Sequence, residues 1–182
     1  LLKIKVGGEG DIERLRAVAD GAPKSRIIVD ANEGWDDTNI AANLAECAHL
    51  GVVLVEQPLP ASNDAILAAI DHPVLICADE SLHTNRDIEG LKGRYDAVNI
   101  KLDKAGGLTE AWDMAFTARK LGMKVMIGCM VGTSLGMAPA LAIAQNADFV
   151  DLDGPLLLAE DREPGLRYEG SVVYPPNARL WG

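Results

Sequence analysis

The sequence predicts an α/β fold, a (β/α)8-type barrel lacking its first strand, and three observations predict it. Short aliphatic runs recur every 22–27 residues along the chain. Ala/Leu-rich segments with helical periodicity lie between them. Charged side chains gather at the C-terminal ends of the runs, which are otherwise apolar. Strands alternating with helices at this spacing make right-handed βα units on a parallel sheet, and seven strands are one short of a closed barrel. A doubly wound open sheet is the alternative, but no Gly-x-Gly-x-x-Gly follows a strand to support its dinucleotide site. Gly106-Gly107 opens a helix and is only a weak anion-binding signal.

The elements follow in order. The chain opens Leu-Leu-Lys-Ile-Lys-Val, already alternating like a strand and with no Met or targeting stretch. It therefore reads as a piece of a longer polypeptide entered in mid-fold. A strand over 2–6 and a helix over 12–20 lead to a strand over 26–30. A helix over 38–50 starts behind Asp37-Thr38 and ends at Gly51, as a helix with a C-terminal glycine does. A strand over 52–56 precedes a helix over 65–71, which Ser62-Asn63-Asp64 introduces. A strand over 74–79, a short helix behind Thr84 and a strand over 97–101 come next. A helix over 108–121 closed by Gly122, a strand over 124–128, a helix over 135–146 and a strand over 149–152 complete the series.

Composition removes several classes of function. The 182 residues can bury a sizeable core, and 48% hydrophobic with 24% charged residues is ordinary globular usage. With 27 Asp+Glu against 17 Lys+Arg the net charge is −10, and no dense Lys/Arg footprint is present for nucleic acid. No apolar run is long enough to span a membrane. Cys47, Cys77 and Cys129 are odd in number and lack Cys-x-x-Cys spacing, which reads as reduced thiols in a cytoplasmic protein. His49, His72 and His83 show no ligand spacing and are read as surface or capping residues, and Trp35, Trp112 and Trp181 as packing residues.

The strand ends carry the chemistry. In order they present Lys3 and Lys5, Asp30, Glu56, Asp79, Lys101, and finally Asp151 and Asp153. In a barrel these positions face the active site. Singly, each has an ordinary explanation as an edge lysine or a turn cap; jointly, three successive carboxylates flanked by lysines form a constellation. Carboxylates brought together repel unless a cation neutralises them. Oxygen-only donors suit a hard ion such as Mg²⁺. A lysine that is partly desolvated beside a divalent cation loses its proton more readily and can act as a base. Two such bases and a metal are the equipment for moving a proton α to a carboxylate. Asn32 is placed to hydrogen-bond near the cation, and Glu80 either supports that site or points away from it.

The motifs Lys3-Ile-Lys5, Val-Asp30-Ala-Asn, Val-Glu56-Gln-Pro, Ala-Asp79-Glu-Ser and Asn-Ile-Lys101-Leu-Asp-Lys-Ala-Gly-Gly resemble the barrel motifs of the enolase superfamily, muconate-lactonising subgroup. The resemblance covers nearly the whole chain in the family's order. It implies Asp30, Glu56 and Asp79 as Mg²⁺ ligands, Lys5 and Lys101 as the two acid/base catalysts on opposite faces of the substrate, and Lys3 beside the substrate carboxylate. A Phe-Val-Asp151-Leu-Asp153-Gly-Pro segment resembles the Asp-x-Asp motif of the subgroup's dipeptide epimerases. Two carboxylates on one face of a strand suit a free α-ammonium. Gly-Cys129-Met-Val131-Gly-Thr-Ser resembles the same enzymes' strand end, implying that Cys129 and Val131 line the substrate; no His stands nearby in sequence to activate Cys129.

The resemblance implies Mg²⁺-dependent epimerisation of a small dipeptide, L-Ala-D/L-Glu, from murein, through an enediolate, and leaves room for a homo-oligomer. It divides the chain into a barrel over 1–155 and a segment over 156–182 that runs back toward an N-terminal capping domain not contained in these residues. A barrel lacking one strand exposes two sheet edges and, without its cap, is not expected to close its site. An o-succinylbenzoate synthase or N-acylamino acid racemase of the same subgroup is the enzymatic alternative, and Asp151 and Asp153 argue against it. A non-catalytic barrel segment is the alternative of another class, and the five charges kept at strand ends argue against that.

Overall fold

The computed structural model describes residues 1–182. The chain divides into two compact units, Leu1–Leu82 with Glu89–Ala97, and His83–Ile88 with Val98–Gly182.

In the first unit the order is β1 (Leu2–Lys5), α1 (Asp11–Gly21), β2 (Ile27–Asp30), α2 (Ile40–His49), β3 (Val52–Glu56) and β4 (Leu75–Ala78). The four strands pair parallel, each with the next, and their ends stay aligned: Lys5 lies opposite Asp30, Asp30 opposite Glu56, and Glu56 opposite Cys77. Ile28, Val29, Leu54, Val55 and Ile76 are buried, as strands covered on both faces require. Helix α2 lays Ile40, Leu44 and Cys47 against the sheet, the stripe of a 3.6-residue period. Its start falls two residues later than the sequence suggests. Asp36, not Thr38, organises the entry by accepting from the N–H and hydroxyl of Thr38, while Asn39 accepts from the N–H of Asp36.

The loop after β1 is pinned by one carboxylate. Asp11 accepts from the N–H groups of Gly7 and Gly8 at 2.9 and 3.0 Å, from the Trp35 indole at 3.1 Å and from Arg14 at 2.9 Å. This loop lies hard against the one after β2. A Cβ on Gly34 would stand 2.4 Å from the Gly7 Cα, and one on Gly7 would stand 2.6 Å from the Ala31 carbonyl oxygen.

Further along come α3 (Ile88–Leu91), β5 (Ala97–Lys101), α4 (Leu102–Ala105), α5 (Leu108–Lys120), β6 (Lys124–Gly128), α6 (Ser134–Met137), α7 (Ala140–Ala144) and β7 (Phe149–Val150). A hairpin of β8 (Tyr168–Glu169) and β9 (Val172–Val173) lies in the C-terminal stretch. In the second unit β6 pairs parallel with β7, and α5 buries Ala111, Met114 and Ala118. Strand order follows chain order from β1 to β7, the α/β architecture of a (β/α)8-type barrel with seven strands. No helix is long and apolar enough to cross a membrane.

Four further expectations need correction. The segment predicted helical over 65–71 forms only a 3-10 turn, Ala65–Ala69. Its expected cap, Asp64, is engaged elsewhere, accepting from Ser81, Tyr95 and Arg94. The helix expected over 135–146 breaks into α6 and α7 at Pro139, which has no N–H to continue the ladder. The last strand stops at Val150, not residue 152. Trp35 packs as expected at 3% exposure, but Trp112 and Trp181 are 51% and 40% exposed.

Candidate active site

The first unit assembles Lys3, Lys5, Asp30, Glu56 and Asp79. The register that aligns the ends of β1, β2 and β3 places Lys5, Asp30 and Glu56 side by side, and Asp79 follows one residue past the end of β4. All three carboxylates are buried. Lys3 bridges two of them, with its Nζ 3.0 Å from Asp30 and 2.8 Å from Glu56. Lys5 Nζ lies 2.5 Å from the same Asp30 oxygen and 2.9 Å from the Asn32 side-chain oxygen. The other Asp30 oxygen accepts from the Asn32 N–H at 3.1 Å. Asn32 thus sits within the cluster, and its amide donates to Glu80 at 3.2 Å, which settles Glu80 as turned toward it.

Burial pushes the Glu56 carboxyl up to about 7; the Lys3 ammonium opposes the rise, and the Asp30 and Asp79 charges add to it. A carboxylate held this high by its surroundings is relieved by a cation. The oxygen-only, buried donor set at the ends of adjacent strands fits a hard divalent ion in its chemistry. The side chains do not converge on one point by themselves, and Lys3 holds two of them meanwhile. The desolvation expected at Lys5 is not supplied by this chain, since its side chain is 63% exposed.

The backbone leaves these strands under constraint. Asn32, Glu33 and Gln57 have positive φ of 43°, 64° and 34°, a region that side-chain-bearing residues seldom occupy. Gln57 is held there by a buried network. Its side-chain oxygen accepts from the N–H groups of Asp79 and Ser81 at 2.8 and 3.1 Å, and its amide lies within bonding distance of Leu59 O, Ser81 Oγ and Tyr95 Oη. The strand-end motif containing Gln57 was legible in the sequence; that Gln57 fixes the backbone of Asp79 was not.

The second unit assembles Lys101, Cys129, Val131, Asp151 and Asp153. Lys101 ends β5, a strand buried along its length, and is itself 8% exposed. Gly128 must be glycine, because a Cβ there would stand 2.5 Å from the Asn99 side chain. The loop after β6 packs on the turn after β7: a Cβ on Gly154 would lie 2.7 Å from Met130 O and 3.1 Å from Cys129 Sγ. Burial pushes the Cys129 thiol up to about 11; a Gly154 N–H opposes this and the nearby Asp151, Asp153 and Asp103 charges add to it. Cys129 is no thiolate nucleophile. Val131 is 63% exposed.

Asp151 and Asp153 do not share a strand face. Both lie past β7, and Asp153 heads the 3-10 turn Gly154–Leu157 with φ −96° and ψ 6°. They nonetheless flank a buried Leu152 while being themselves half-buried and exposed. The turn, not pleating, keeps them both off the core.

Residues 1–178 match the model of one protein family, described as Enolase C-terminal domain-like. The chain belongs to that family. Among its enolase-family relatives, an N-acetyl-D-glutamate racemase from a Pseudoalteromonas species is 48% identical over all of this chain and 58% of its own length. The L-Ala-D/L-Glu epimerase of Escherichia coli K12 is 49% identical over 92% of this chain and 52% of its own length. An enolase family member from Agrobacterium tumefaciens with homology to dipeptide epimerases, solved with bound sodium and L-Ala-L-Glu, is 64% identical. It has a TM-score of 0.98 over all of this chain and 56% of that one. A dipeptide epimerase from Methylococcus capsulatus complexed with Mg ion is 34% identical, with a TM-score of 0.85 over 92% of this chain and 52% of that one. This enolase-type chain spans about half the length of the curated relatives it matches.

Proposed function

We propose that this chain is the barrel portion of a Mg²⁺-dependent epimerase acting on a dipeptide with a free α-ammonium, L-Ala-D/L-Glu. The observation that carries the reading is the group of buried carboxylates, Asp30 and Glu56 on aligned strand ends and Asp79 just past the end of the next strand, with Lys3 and Lys5 among them. Asp30, Glu56 and Asp79 would hold the Mg²⁺, which when bound would supply positive charge to offset the negative charge developing on the substrate carboxylate. Lys5 and Lys101 are the acid/base pair. One, as the neutral amine, removes the proton from the α-carbon; the other, as the ammonium, returns a proton on the opposite face. The proton count is unchanged and only the configuration inverts. Lys3 lies beside the carboxylate end, Cys129 and Val131 line the substrate, and Asp151 and Asp153 receive its ammonium. The relatives' names and the neighbour solved with L-Ala-L-Glu support this substrate class. Free thiols at Cys47, Cys77 and Cys129 fit a cytoplasmic setting.

A second reading is racemisation of an N-acylamino acid, favoured by the identity to N-acetyl-D-glutamate racemase. One experiment separates them. The full-length protein with Mg²⁺ in D₂O is followed by NMR for α-deuterium incorporation into L-Ala-L-Glu and into N-acetyl-L-glutamate. Exchange in the dipeptide is the expected outcome; exchange confined to the N-acetyl compound installs the second reading, and exchange in neither removes both.

A further inference from the structure

The C-terminal segment reaches back to both loops of the second half-site. Tyr168 donates its hydroxyl to the carbonyl of Leu152, the residue between Asp151 and Asp153, at 2.7 Å. Asp161 accepts from the N–H of Ser134 at 2.9 Å and from its hydroxyl, and that hydroxyl accepts from the N–H of Leu166 at 2.8 Å. Ser134 is fully buried and begins α6 directly after the loop carrying Cys129 and Val131. Gly165 packs closely against this clasp, since a Cβ there would stand 2.9 Å from the Asp161 carboxylate and 3.3 Å from Ser134 Oγ. The two loops so held also touch each other through Gly154.

We infer that residues 161–168 form a strap whose Tyr168 is a positioning residue for the ammonium-binding pair Asp151 and Asp153, so that the strap sets affinity for a substrate with a free α-ammonium. The inference rests on the dipeptide reading above. Its physical basis is that Asp151 and Asp153 lie past the end of β7, where the Asp151 N–H still bonds to the Ile127 carbonyl and the Asp153 carbonyl accepts from the Leu156 N–H. The Leu152 carbonyl is the backbone group between them, and Tyr168 is its donor. Without that bond the peptide plane at 152–153 loses one of its restraints, and the spacing of the two carboxylates is held less firmly. A preorganised pair of carboxylates binds better than a mobile one, because the ordering cost is met before binding. The strap's hydrogen bonds go to the two loops that carry the ammonium-binding and substrate-lining residues, so the effect is expected on binding and not on proton transfer.

The test uses the full-length protein loaded with Mg²⁺ and three forms: wild type, Tyr168→Phe and Asp151→Asn. Dissociation constants for L-Ala-L-Glu are read by calorimetry, kcat and KM by circular dichroism of the epimerisation, and folding by the thermal midpoint. Loss of this partly buried hydrogen bond to the loop is expected to weaken L-Ala-L-Glu binding about tenfold for Tyr168→Phe. KM rises with it, and kcat stays within about twofold, the split expected when ground-state and transition-state binding fall together. Wild-type affinity in a folded Tyr168→Phe protein, or a fall in kcat without a rise in KM, overturns the inference. Asp151→Asn separates the two levels: if it binds L-Ala-L-Glu as wild type does, the ammonium-site reading itself fails and the strap with it. If Asp151→Asn weakens binding and Tyr168→Phe does not, only the strap fails. Asp161→Asn, which loosens the clasp on Ser134 and leaves Tyr168 in place, is expected to give a smaller shift in the same direction.

Discussion

At Asp11 a single carboxylate meets two backbone N–H groups, an indole N–H and a guanidinium. Burial favours the neutral acid, but the donors from Gly7, Trp35, Gly8 and Arg14 together outweigh it and hold the Asp11 carboxyl below its ordinary value. A group depressed on folding contributes stability that is present above the unfolded value and is lost as pH falls through the folded one. Replacement by Asn leaves N–H donors facing an amide that can satisfy fewer of them. Asp11→Asn is expected to cost about 1–3 kcal/mol of stability near neutral pH, measured by urea unfolding. The same variant loses the part of the wild type's acid sensitivity that Asp11 causes below about pH 4. Its role was hidden in the sequence because the partners Trp35 and Gly7 are ordinary residues brought together only by the two loops. By contrast Asp30, Glu56 and Lys101 were legible, since each is a charge ending an apolar run and such a residue has few other reasons to be there.

Among the elements, the strands were read most accurately because their apolar runs end abruptly, in a charged residue at Glu56 and Lys101 and in glycine at Gly128. The runs over 52–56, 97–101 and 124–128 coincide with β3, β5 and β6. Helices were read less well wherever a polar residue had a distant partner. Asp64 looks like a helix cap and instead joins Ser81, Tyr95 and Arg94; Asp153 looks like a strand residue and instead heads a turn. Gln57 belongs to the same class, a residue whose role lies in contacts across β3 and β4. Gln57→Leu removes the acceptor of the Asp79 and Ser81 N–H groups, each worth about 1–3 kcal/mol when left unsatisfied. The full-length variant is therefore expected to unfold at lower urea concentration. It is also expected to bind Mn²⁺, used as a spectroscopic substitute for Mg²⁺ and followed by EPR, about tenfold or more weakly than wild type. Unchanged Mn²⁺ affinity in a folded protein would show that Asp79 keeps its place without Gln57.

For the whole molecule, the excess of acids over bases takes on a local meaning. Of the residues behind the net charge of −10, Asp30, Glu56 and Asp79 are buried together and Glu56 is held far above a carboxylate's usual range. A cation that binds only the folded chain stabilises it by mass action. Free Mg²⁺ at a hundred times its dissociation constant is expected to raise the stability of the full-length protein by about 2.7 kcal/mol, read as a rise in thermal midpoint that EDTA reverses. Asp79→Asn should abolish most of that rise. A rise that survives the substitution would place the ion elsewhere. The α/β class and the strand count were legible from periodicity alone, because the βα spacing repeats along the chain; the division into two compact units was not, because no shift in composition marks it.

The contact between Gly7 and Gly34 leaves a readable imprint on tolerated variation. Neither position has room for a methyl group, whereas a Cβ on Gly8 would meet nothing within 4 Å. In a library of single substitutions selected for folded protein, alleles at 7 and 34 would therefore be swept out almost completely while those at 8 persist. Three glycines that look equivalent on paper would separate into two fixed sites and one free one.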